Sequence, residues 1–423
     1  MDAEQRALAL RRPEQRVGAE LRAGVRAIVD DVREGSWEAL CAIARRIDGE
    51  EPRLINIAPI AAEARRSLDV RAIEAVEFAA RNIRTFHQAS MPADLSVETV
   101  PGLVVRKLWR AIDRVGIYVP GGRTPLFSTL LMLAIPAGVA GVRDIVVVTP
   151  PRPEGGLDPI IALAAEVSDV QHVWTVGGAQ AIAALAFGSG AIGKVDKICG
   201  PGNAWVAEAK RVVSSLPSGP AIDMPAGPSE LMVVADGSAD ARVIAADLLS
   251  QAEHDAAAQV LFVTWSAQLA DQVGNAVDAQ LATLPRQSIA RASLASARLI
   301  VVSGPEQAAE IANLYAPEHL ALAVEAVEQL VPLIRNAGAV FAGPLAAETF
   351  GDYLAGSSHV LPTDGAARAW SGASVYTFLK AMSVQSVTRE AARRIVGPAG
   401  LLARLEALEG HARAAEARLD LVR

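Results

Sequence analysis

Cysteine, aromatic residues and surplus positive charge are all scarce in this chain of 423 residues. Two cysteines are too few for a disulfide framework, which is typical of proteins from a reducing compartment. The 40 Lys and Arg residues are outnumbered by 47 Asp and Glu residues, giving a net charge of −7. A basic surface of the kind that binds phosphate backbones is therefore not expected, and we predict no nucleic-acid partner.

The chain also lacks a hydrophobic run with the character of a membrane span. Two uncharged stretches, 125–142 and 173–193, contain several glycines, and the first also contains Pro136. Both are better explained as buried strand–loop–helix segments than as spans. Residues 1–16 are charged throughout and do not resemble a signal peptide. We therefore expect a cytoplasmic protein without a membrane partner.

Short segments rich in β-branched residues alternate with helical stretches through most of the chain. One series begins near Val115 and a second near Leu231, and a segment rich in Pro and Gly, 217–230, separates them. This alternation is typical of parallel sheets covered by helices. The sequence thus predicts an α/β fold of two units with helical ends. A crevice between two such units is where a ligand is expected.

One predicted helix carries a stripe of polar residues. If the helix begins at Ser238, then Asp247, Gln251 and His254 share one face, because residues three or four apart are neighbours on a helix. Such a stripe on a helix rich in Ala and Leu can bind a metal ion. A solvated face that ends in a capping histidine explains the same pattern, so spacing alone leaves both interpretations open.

Glu318 and His319 place a carboxyl group beside an imidazole. Histidine accepts protons near neutral pH, and a glutamate can activate water. Adjacent residues diverge on regular elements, so the two side chains are expected to share a site only if they lie on a loop or turn. A surface glutamate next to a packed histidine is an equally good explanation.

Two later segments contain the remaining candidates. Asp352 and His359 fall in a segment rich in Gly and Ser that is expected to be a functional loop or an ordinary turn. Glu406 and His411 are five residues apart, about 140° around a helix, so they share no face unless Gly410 ends that helix. By itself His411 is most simply a surface residue; if it is functional, it has to reach a site on another unit or another chain.

Glycine turns follow three of the predicted strands, at 120–122, 177–180 and 200–203. Glycine permits close approach of the backbone to a ligand and exposes N–H groups where a helix starts. No G-x-G-x-x-G motif follows a strand, and tight turns in a parallel sheet need no ligand. Cys199 precedes the third turn, and we expect it to be buried and unreactive.

Ten ordered segments together resemble the histidinol dehydrogenase family, whose members oxidise L-histidinol with NAD. The segments are VGIYVPGG, VGGAQAIAALAFG, VDKICGPGN, AEAKRVV, AIDMPAGPSE, DLLSQAEH, YAPEHL, NAGAVFAG, GDYLAGSSHVLPT and LEGHARAAEARL. The resemblance covers nearly everything from about residue 100 to the C-terminus, whereas the first hundred residues match loosely. Ten motifs in the family's order are far more specific than any one of them.

The resemblance implies one zinc ion per subunit of a homodimer. The implied ligands are Gln251, His254, Asp352 and His411, the last contributed by the partner subunit. Oxygen and nitrogen ligands with open positions are typical of catalytic zinc, and the amine and imidazole nitrogens of histidinol are implied to complete the shell.

The resemblance also implies roles for the acid–imidazole pair. His319 would take the hydroxyl proton while hydride leaves for NAD, and Glu318 would activate the water that hydrates the aldehyde. The implied reaction is a four-electron oxidation of L-histidinol to L-histidine, through histidinal, with two NAD. The implied NAD contacts are Tyr118, Gln180 and Asn203. The implied substrate contacts are Ser229, Gln251, His254, His319, Asp352, His359, Glu406 and His411.

The family's architecture implies two Rossmann-like units of the aldehyde-dehydrogenase type. We predict an N-terminal extension over 1–20, a first α/β domain over 21–117 and 236–372, a second over 118–235, and a C-terminal helical segment over 373–423. The first domain would carry the zinc and acid–base residues and the second would bind NAD. The C-terminal segment would reach the partner subunit.

Some alternatives remain open from the sequence. Ser358 stands where the family commonly has Asn beside the substrate-contacting histidine, and relatives oxidise other alcohols such as sulfopropanediol with the same zinc ligands. Ser229 and Glu230 follow an Ala-Gly-Pro segment typical of the histidinol-oxidising branch. A zinc hydrolase that uses Glu318 for water activation is a further hypothesis, as is a non-catalytic relative.

Overall fold

Two parallel sheets and one small antiparallel sheet organise the chain. The computed structural model describes residues 9–12, 18–121, 124–225 and 227–421. The first elements are helices, one edge strand and a hairpin: α1 (Ala19–Ile47), β1 (Arg53–Asn56), α2 (Ala58–Ser67), α3 (Val70–Ala89), β2 (Leu95–Val100) and β3 (Leu103–Ala111).

The first parallel sheet follows at once. Its elements are β4 (Arg114–Tyr118), α4 (Phe127–Ala140), β5 (Asp144–Thr149), α5 (Pro159–Val167), β6 (His172–Thr175), α6 (Gly178–Phe187), β7 (Lys197–Cys199), α7 (Ala204–Ser214) and β8 (Ala221–Ile222). The strand order is β1-β6-β5-β4-β7-β8, with β4 to β8 parallel and β1 antiparallel at the edge. Helices α4 and α6 are buried almost throughout, which explains the two uncharged stretches of the sequence.

The second parallel sheet has five strands in the order β11-β10-β9-β12-β13. Its elements are β9 (Glu230–Ala235), α8 (Ala241–Ala252), β10 (Gln259–Thr264), α9 (Ala267–Leu281), α10 (Gln287–Leu294), β11 (Arg298–Val301), α11 (Pro305–Tyr315), β12 (His319–Ala323), α12 (Val327–Leu330), β13 (Ala339–Ala342) and α13 (Glu348–Tyr353). Strands β9, β10 and β12 are buried at every position, as expected of central strands with helices on both faces. The α/β prediction is confirmed at this level.

The C-terminal region is not wholly helical as predicted for 373–423. It contains β14 (Leu379–Val387), α14 (Arg389–Leu405) and α15 (Glu409–Glu416). Strand β14 pairs antiparallel with β3 along its nine residues, and β3 also pairs with β2. This pairing joins residues far apart in sequence, so no local periodicity predicts it. On α14, Leu401, Leu402 and Leu405 are exposed at 62%, 64% and 76%.

Sheet membership differs from the predicted domain division. Strand β1 and all but the last residue of β4 lie within 21–117 but pair in the six-stranded sheet, and α1 to α3 pack against that sheet. Strand β9 lies wholly within 118–235 but belongs to the five-stranded sheet. The Pro/Gly-rich break at 217–230 marks the crossing, whereas the return of β1 to an edge is a long-range contact. Most of the predicted extension 1–20 lies outside the described residues.

In the part of the chain that the structure describes, no helix combines the length and apolar character needed to span a bilayer.

Candidate active site

A cavity of about 190 Å³ lies between the two parallel sheets. One wall comes from the turn after β7 and from α4, and the other from the amino-terminal ends of β9 and β12 with α8 and α13. Seven predicted site residues line it: Ser229, Gln251, His254, Glu318, His319, Asp352 and His359. Tyr118, Gln180, Asn203, Glu406 and His411 do not line it.

The polar stripe of α8 reaches the cavity at the helix's carboxyl end. The helix begins at Ala241, capped by the Asp240 side chain, and not at Ser238 as predicted. Gln251 is only 1% exposed, and neither polar atom of its amide has a hydrogen-bond partner among the described residues. One turn earlier, burial raises the pKa of Asp247 to about 6. His254 lies in the turn after the helix, exposed at the cavity's edge.

The acid–imidazole pair sits where a loop becomes a strand. Glu318 is the last loop residue, and His319 is the first residue of β12. The pair is held by one residue of the neighbouring strand: the backbone N–H of Glu230 donates to Glu318 Oε2 over 2.8 Å, and the backbone oxygen of Glu230 lies 3.2 Å from His319 Nδ1. Of the two residues only Glu318 lies on a loop, yet both face the cavity, because the pair spans the point where the loop ends and β12 begins.

These contacts set the protonation of the pair. A carbonyl oxygen accepts only, so His319 Nδ1 carries the hydrogen and Nε2 is the acceptor. Nε2 is buried without a hydrogen-bond partner among the described residues. Burial lowers the pKa of His319 to about 3, which keeps the imidazole neutral at pH 7. Burial raises the pKa of Glu318 well above the usual range for a carboxyl.

Helix α13 adds two carboxyl groups around the same imidazole. Glu348 Oε1 lies 3.4 Å from His319 Nδ1, and Asp352 Oδ1 lies 3.6 Å from His319 Nε2. One ligand atom from each of the three residues falls within 4.8 Å of the others, a grouping able to hold a metal ion. Burial raises the pKa of Glu348 well above its usual range and that of Asp352 to about 6.

Glu348 is the residue of this cluster that the sequence analysis missed. Asp352 was placed on a loop or turn, whereas it lies on α13 four residues after Glu348, so the two carboxyl groups share a helical face. That spacing of four was the available signal. Glu348 is 3% exposed, and its Oε2 has no partner among the described residues.

His359 is oriented by the end of the same helix. Its Nδ1 lies 2.8 Å from the backbone oxygen of Asp352, which leaves Nε2 as the acceptor. Ser358, the departure from the family pattern, is 7% exposed, and its hydroxyl accepts from the backbone N–H of Val360 over 3.1 Å. The serine hydroxyl therefore shapes the turn that carries His359.

The glycine turns gather at the carboxyl end of the six-stranded sheet. The Tyr118 hydroxyl accepts from the backbone N–H of Gly178 over 3.3 Å, and burial raises its pKa to about 12. Gln180 is fully buried, and its Nε2 donates to Asp48 Oδ2 over 3.0 Å. Asp48 also accepts from Gly177 over 3.1 Å. Asp48 was missed, because it lies in the loosely matching first hundred residues.

The third turn is held from both sides. The N–H of Gly200 donates to Asp223 over 2.7 Å, and Lys210 Nζ donates to the Gly200 oxygen over 2.9 Å. Gly200 has φ +124°, and a Cβ there would lie 2.1 Å from the Tyr118 oxygen, so only glycine fits. Asn203 is exposed and caps α7 through its own side chain. In the first turn, Gly122 lies outside the described residues.

The C-terminal candidates, Glu406 and His411, are exposed and do not line the cavity. Glu406 ends α14, and Ala407 at φ +58° separates it from α15, which contains both Gly410 and His411. The expectation that Gly410 ends a helix is wrong, because Ala407 makes the break. Cys199 is fully buried, as predicted, and that burial raises its thiol pKa, which disfavours the reactive thiolate.

Two parallel sheets around a cavity with a buried acid–imidazole pair and side chains able to hold a metal ion define an α/β enzyme. The chain matches the family model described as histidinol dehydrogenase over residues 10–419. It is 46% identical to the histidinol dehydrogenase of Xylella fastidiosa (strain Temecula1), over 99% of this chain and 97% of the relative. It is 42% identical to that of Aliivibrio fischeri, over 97% and 93%.

A crystal structure of histidinol dehydrogenase from Elizabethkingia anophelis superposes with a TM-score of 0.96 at 38% identity, covering 100% of this chain and 97% of that one. This chain belongs to the histidinol dehydrogenase family.

Proposed function

We propose that this protein oxidises L-histidinol to L-histidine, through histidinal, in a zinc-dependent and NAD-linked step of histidine biosynthesis. The observation that carries the proposal is the neutral imidazole of His319, whose Nε2 lacks a hydrogen-bond partner among the described residues in the cavity wall. An alcohol needs such a base to lose its hydroxyl proton as hydride departs. Relatives that align over nearly the full chain are named for this substrate.

His319 performs the proton transfer of the first oxidation. The Glu230 backbone oxygen fixes its Nδ1 hydrogen, so Nε2 takes the hydroxyl proton. Phe341 stacks on the ring, with centroids 5.9 Å apart, and restricts its orientation. A base held in one tautomer and one orientation meets the geometric demand of proton transfer.

Glu318 serves the second oxidation. The aldehyde has to gain a water molecule before a second hydride can leave, and a carboxyl must move that water's proton. Burial raises the pKa of Glu318 well above the usual range for a carboxyl, so this group takes up a proton more readily than a carboxyl in water. The Glu230 N–H holds Glu318 Oε2 in place during both steps.

The described donor set fits zinc. Gln251, His254 and Asp352 line one cavity, and the buried amide of Gln251 has no protein partner among the described residues. Oxygen and imidazole ligands suit this ion. His411 of a second copy of the chain would supply the fourth ligand. When bound, zinc would anchor the substrate's nitrogen atoms and polarise the reacting group.

NAD would bind on the side of the six-stranded sheet, as in a Rossmann-like unit. We infer contacts from Tyr118, Gln180 and Asn203, which lie at or just after the carboxyl ends of β4, β6 and β7, the usual ligand edge of a parallel sheet. Gln180 Oε1 is buried without a partner among the described residues and is available to a cofactor donor. The bound cofactor supplies the hydride acceptor. The predicted division thus places NAD within 118–235 and the zinc and acid–base residues within 236–372.

We also infer a cytoplasmic homodimer. Leu401, Leu402 and Leu405 present an exposed apolar face on α14, and His411 is exposed beyond it. A second copy that covers this face would bury the leucines and bring His411 and Glu406 to its partner's cavity.

The test is NADH formation by purified, zinc-loaded protein given NAD and L-histidinol, with a propanediol sulfonate in a parallel sample. We expect NADH with histidinol and its suppression by a chelator. Turnover of the sulfonate alone would move the chain to a related alcohol dehydrogenase, with Ser358 the first residue to exchange for Asn. Absence of NADH with either alcohol, from protein that contains zinc, would contradict the proposal and revive a zinc hydrolase.

A further inference from the structure

An arginine near the start of the chain reaches the residue that holds the acid–imidazole pair. Arg12 Nε donates to Glu230 Oε1 over 2.5 Å, and Arg12 Nη2 donates to Glu230 Oε2 over 2.8 Å. The two side chains are 14% and 1% exposed. A planar guanidinium that meets both oxygens of a carboxylate forms the most directional ion pair available to a protein.

The same guanidinium holds the chain segment that leads to Glu318. Arg12 Nη2 donates to the backbone oxygen of Tyr315 over 2.9 Å, and the guanidinium carbon lies 3.9 Å from the centre of the Tyr315 ring. The next residue, Ala316, is fully buried with φ +53° and precedes Pro317. Alanine rarely adopts this conformation, and a following proline disfavours helical values further, so the turn needs support from its surroundings.

Glu230 connects Arg12 to the Glu318–His319 pair. Its side chain is held by Arg12, while its backbone N–H and oxygen hold Glu318 and His319. Arg12 therefore fixes the pair from two directions: through the neighbouring strand β9 and through the carboxyl end of α11. Each route begins with a direct hydrogen bond from Arg12, to the Glu230 carboxylate or to the Tyr315 backbone oxygen.

We propose that Arg12 is a positioning residue for the Glu318–His319 pair. Arg12, which falls in the predicted extension 1–20, thus contributes to the reaction through Glu230 without touching the substrate. The inference rests on the proposed function, because it assigns Arg12 to the step that the pair performs. The competing explanation is that the Arg12–Glu230 ion pair only anchors residues 9–12 to the second sheet.

The test compares Arg12→Ala and Arg12→Lys with a matched control, Arg368→Ala. Arg368 also donates to backbone oxygens beside the end of α11, at Leu314 and Gly365, but no described contact joins it to Glu230. Steady-state kcat and KM for L-histidinol, zinc content and thermal midpoint are measured for each. We expect Arg12→Ala to lower kcat by about 10- to 100-fold with KM within about threefold, because a small displacement of catalytic groups has effects of this size.

Arg12→Lys keeps the positive charge but loses the planar guanidinium that meets both oxygens of the Glu230 carboxylate. We therefore expect a kcat between those of the parent and the alanine variant. If Arg12→Ala does not fold, Arg12→Lys decides alone: a reduced kcat at unchanged KM and zinc content supports positioning. A parental kcat in whichever Arg12 variant folds would overturn the proposal. So would an equal loss in Arg368→Ala, or a kcat loss accompanied by loss of zinc.

The outcomes separate this inference from the proposed function. If the parent protein forms NADH from histidinol and His319→Gln loses nearly all of that activity, the function stands whatever Arg12 does. If the parent protein forms no NADH, the proposed function fails first, and Arg12 loses its assigned role with it.

Discussion

The two parallel sheets meet the cavity with opposite arrangements. At the six-stranded sheet, side chains hold backbone: Asp48 binds Gly177, and Asp223 and Lys210 bind the two polar groups of Gly200. At the five-stranded sheet, backbone holds side chains: both polar groups of Glu230 orient Glu318 and His319.

This difference separates shape from chemistry. Charged side chains that are hydrogen-bonded to glycine backbone fix the shape of a surface, and few of their polar atoms remain free to react. Side chains on the five-stranded side keep polar atoms available to a ligand. His319 Nε2, Glu348 Oε2 and both polar atoms of Gln251 have no hydrogen-bond partner among the described residues. Buried polar atoms are nearly always partnered, so such a cluster indicates a place for a ligand. The first side fits a cofactor surface, and the second fits the reacting centre.

The largest effect is expected from a substitution at the five-stranded sheet, where the proposed base lies. His319→Gln removes the proposed base, and we expect kcat for histidinol oxidation to fall roughly 10³-fold, within the range that a positioned base contributes. The measurement is the initial rate of NADH formation. The control is His172→Gln, because His172 is exposed on β6 and does not line the cavity. A His319 variant with a rate near the parent's would contradict the role.

Removal of a proposed zinc ligand is expected to have the next largest effect. Gln251→Ala deletes a buried amide that has no described protein partner, so we expect zinc affinity to drop by at least about 10- to 100-fold with little loss of fold. Competition with a metal-binding dye measures the affinity. Gln268→Ala, at an exposed position on α9, is the control and should bind zinc as the parent does. Unchanged affinity in Gln251→Ala would remove this residue from the ligand set.

On the other side, loss of a backbone support should affect binding more than chemistry. Asp48→Asn weakens the contacts to Gly177 and Gln180, and we expect KM for NAD to rise about 2- to 10-fold, the value of one net hydrogen bond. The kcat should hold. Asp69→Asn, which alters the cap of α3 and an ion pair with Arg71, is the control. A fall in kcat without a change in KM would erase the contrast between the two sides.

The smallest expected effect concerns stability and pH. Burial raises the pKa of Asp247 to about 6 in the folded protein, against about 3.9 in an unfolded chain. A raised carboxyl pKa stabilises the fold at low pH, and that stability is lost as pH rises through 6. Asp247→Asn should therefore stabilise the zinc-free protein at pH 7 by about 1–2 kcal/mol, after allowance for partial exposure.

That gain should shrink as pH falls below 6. Thermal midpoints of parent and variant at pH 7 and pH 5 measure it. An equal gain at both values, or none at pH 7, would contradict the assignment of the raised pKa to Asp247.

The sequence predicts features that depend on local pattern. Unbroken apolar runs gave the central strands, glycine turns gave the strand ends, and the adjacency of Glu318 and His319 gave the pair. Helix boundaries were less accurate, because Asp240 competes with Ser238 as a cap and Ala407 adopts a conformation usual for glycine.

Contacts between distant segments could not be predicted in this way. The pairing of β14 with β3, the return of β1 to β6, and the reach of Arg12 to Glu230 each join residues with no shared periodicity. Spacing alone also left a solvated face as an explanation for Gln251 and His254. The cavity placed both residues beside Asp352, and the resemblance to known motifs had to supply the expected ligand set.

The most direct test of the account is the number of NADH molecules formed per histidinol consumed. A limiting amount of L-histidinol is exhausted by zinc-loaded protein with excess NAD, and NADH absorbance is read against the histidine produced. Two successive oxidations at one acid–imidazole pair predict two NADH and one histidine for each histidinol. One NADH with accumulation of the aldehyde would show that Glu318 does not promote the second step, and no NADH would contradict the proposed function itself.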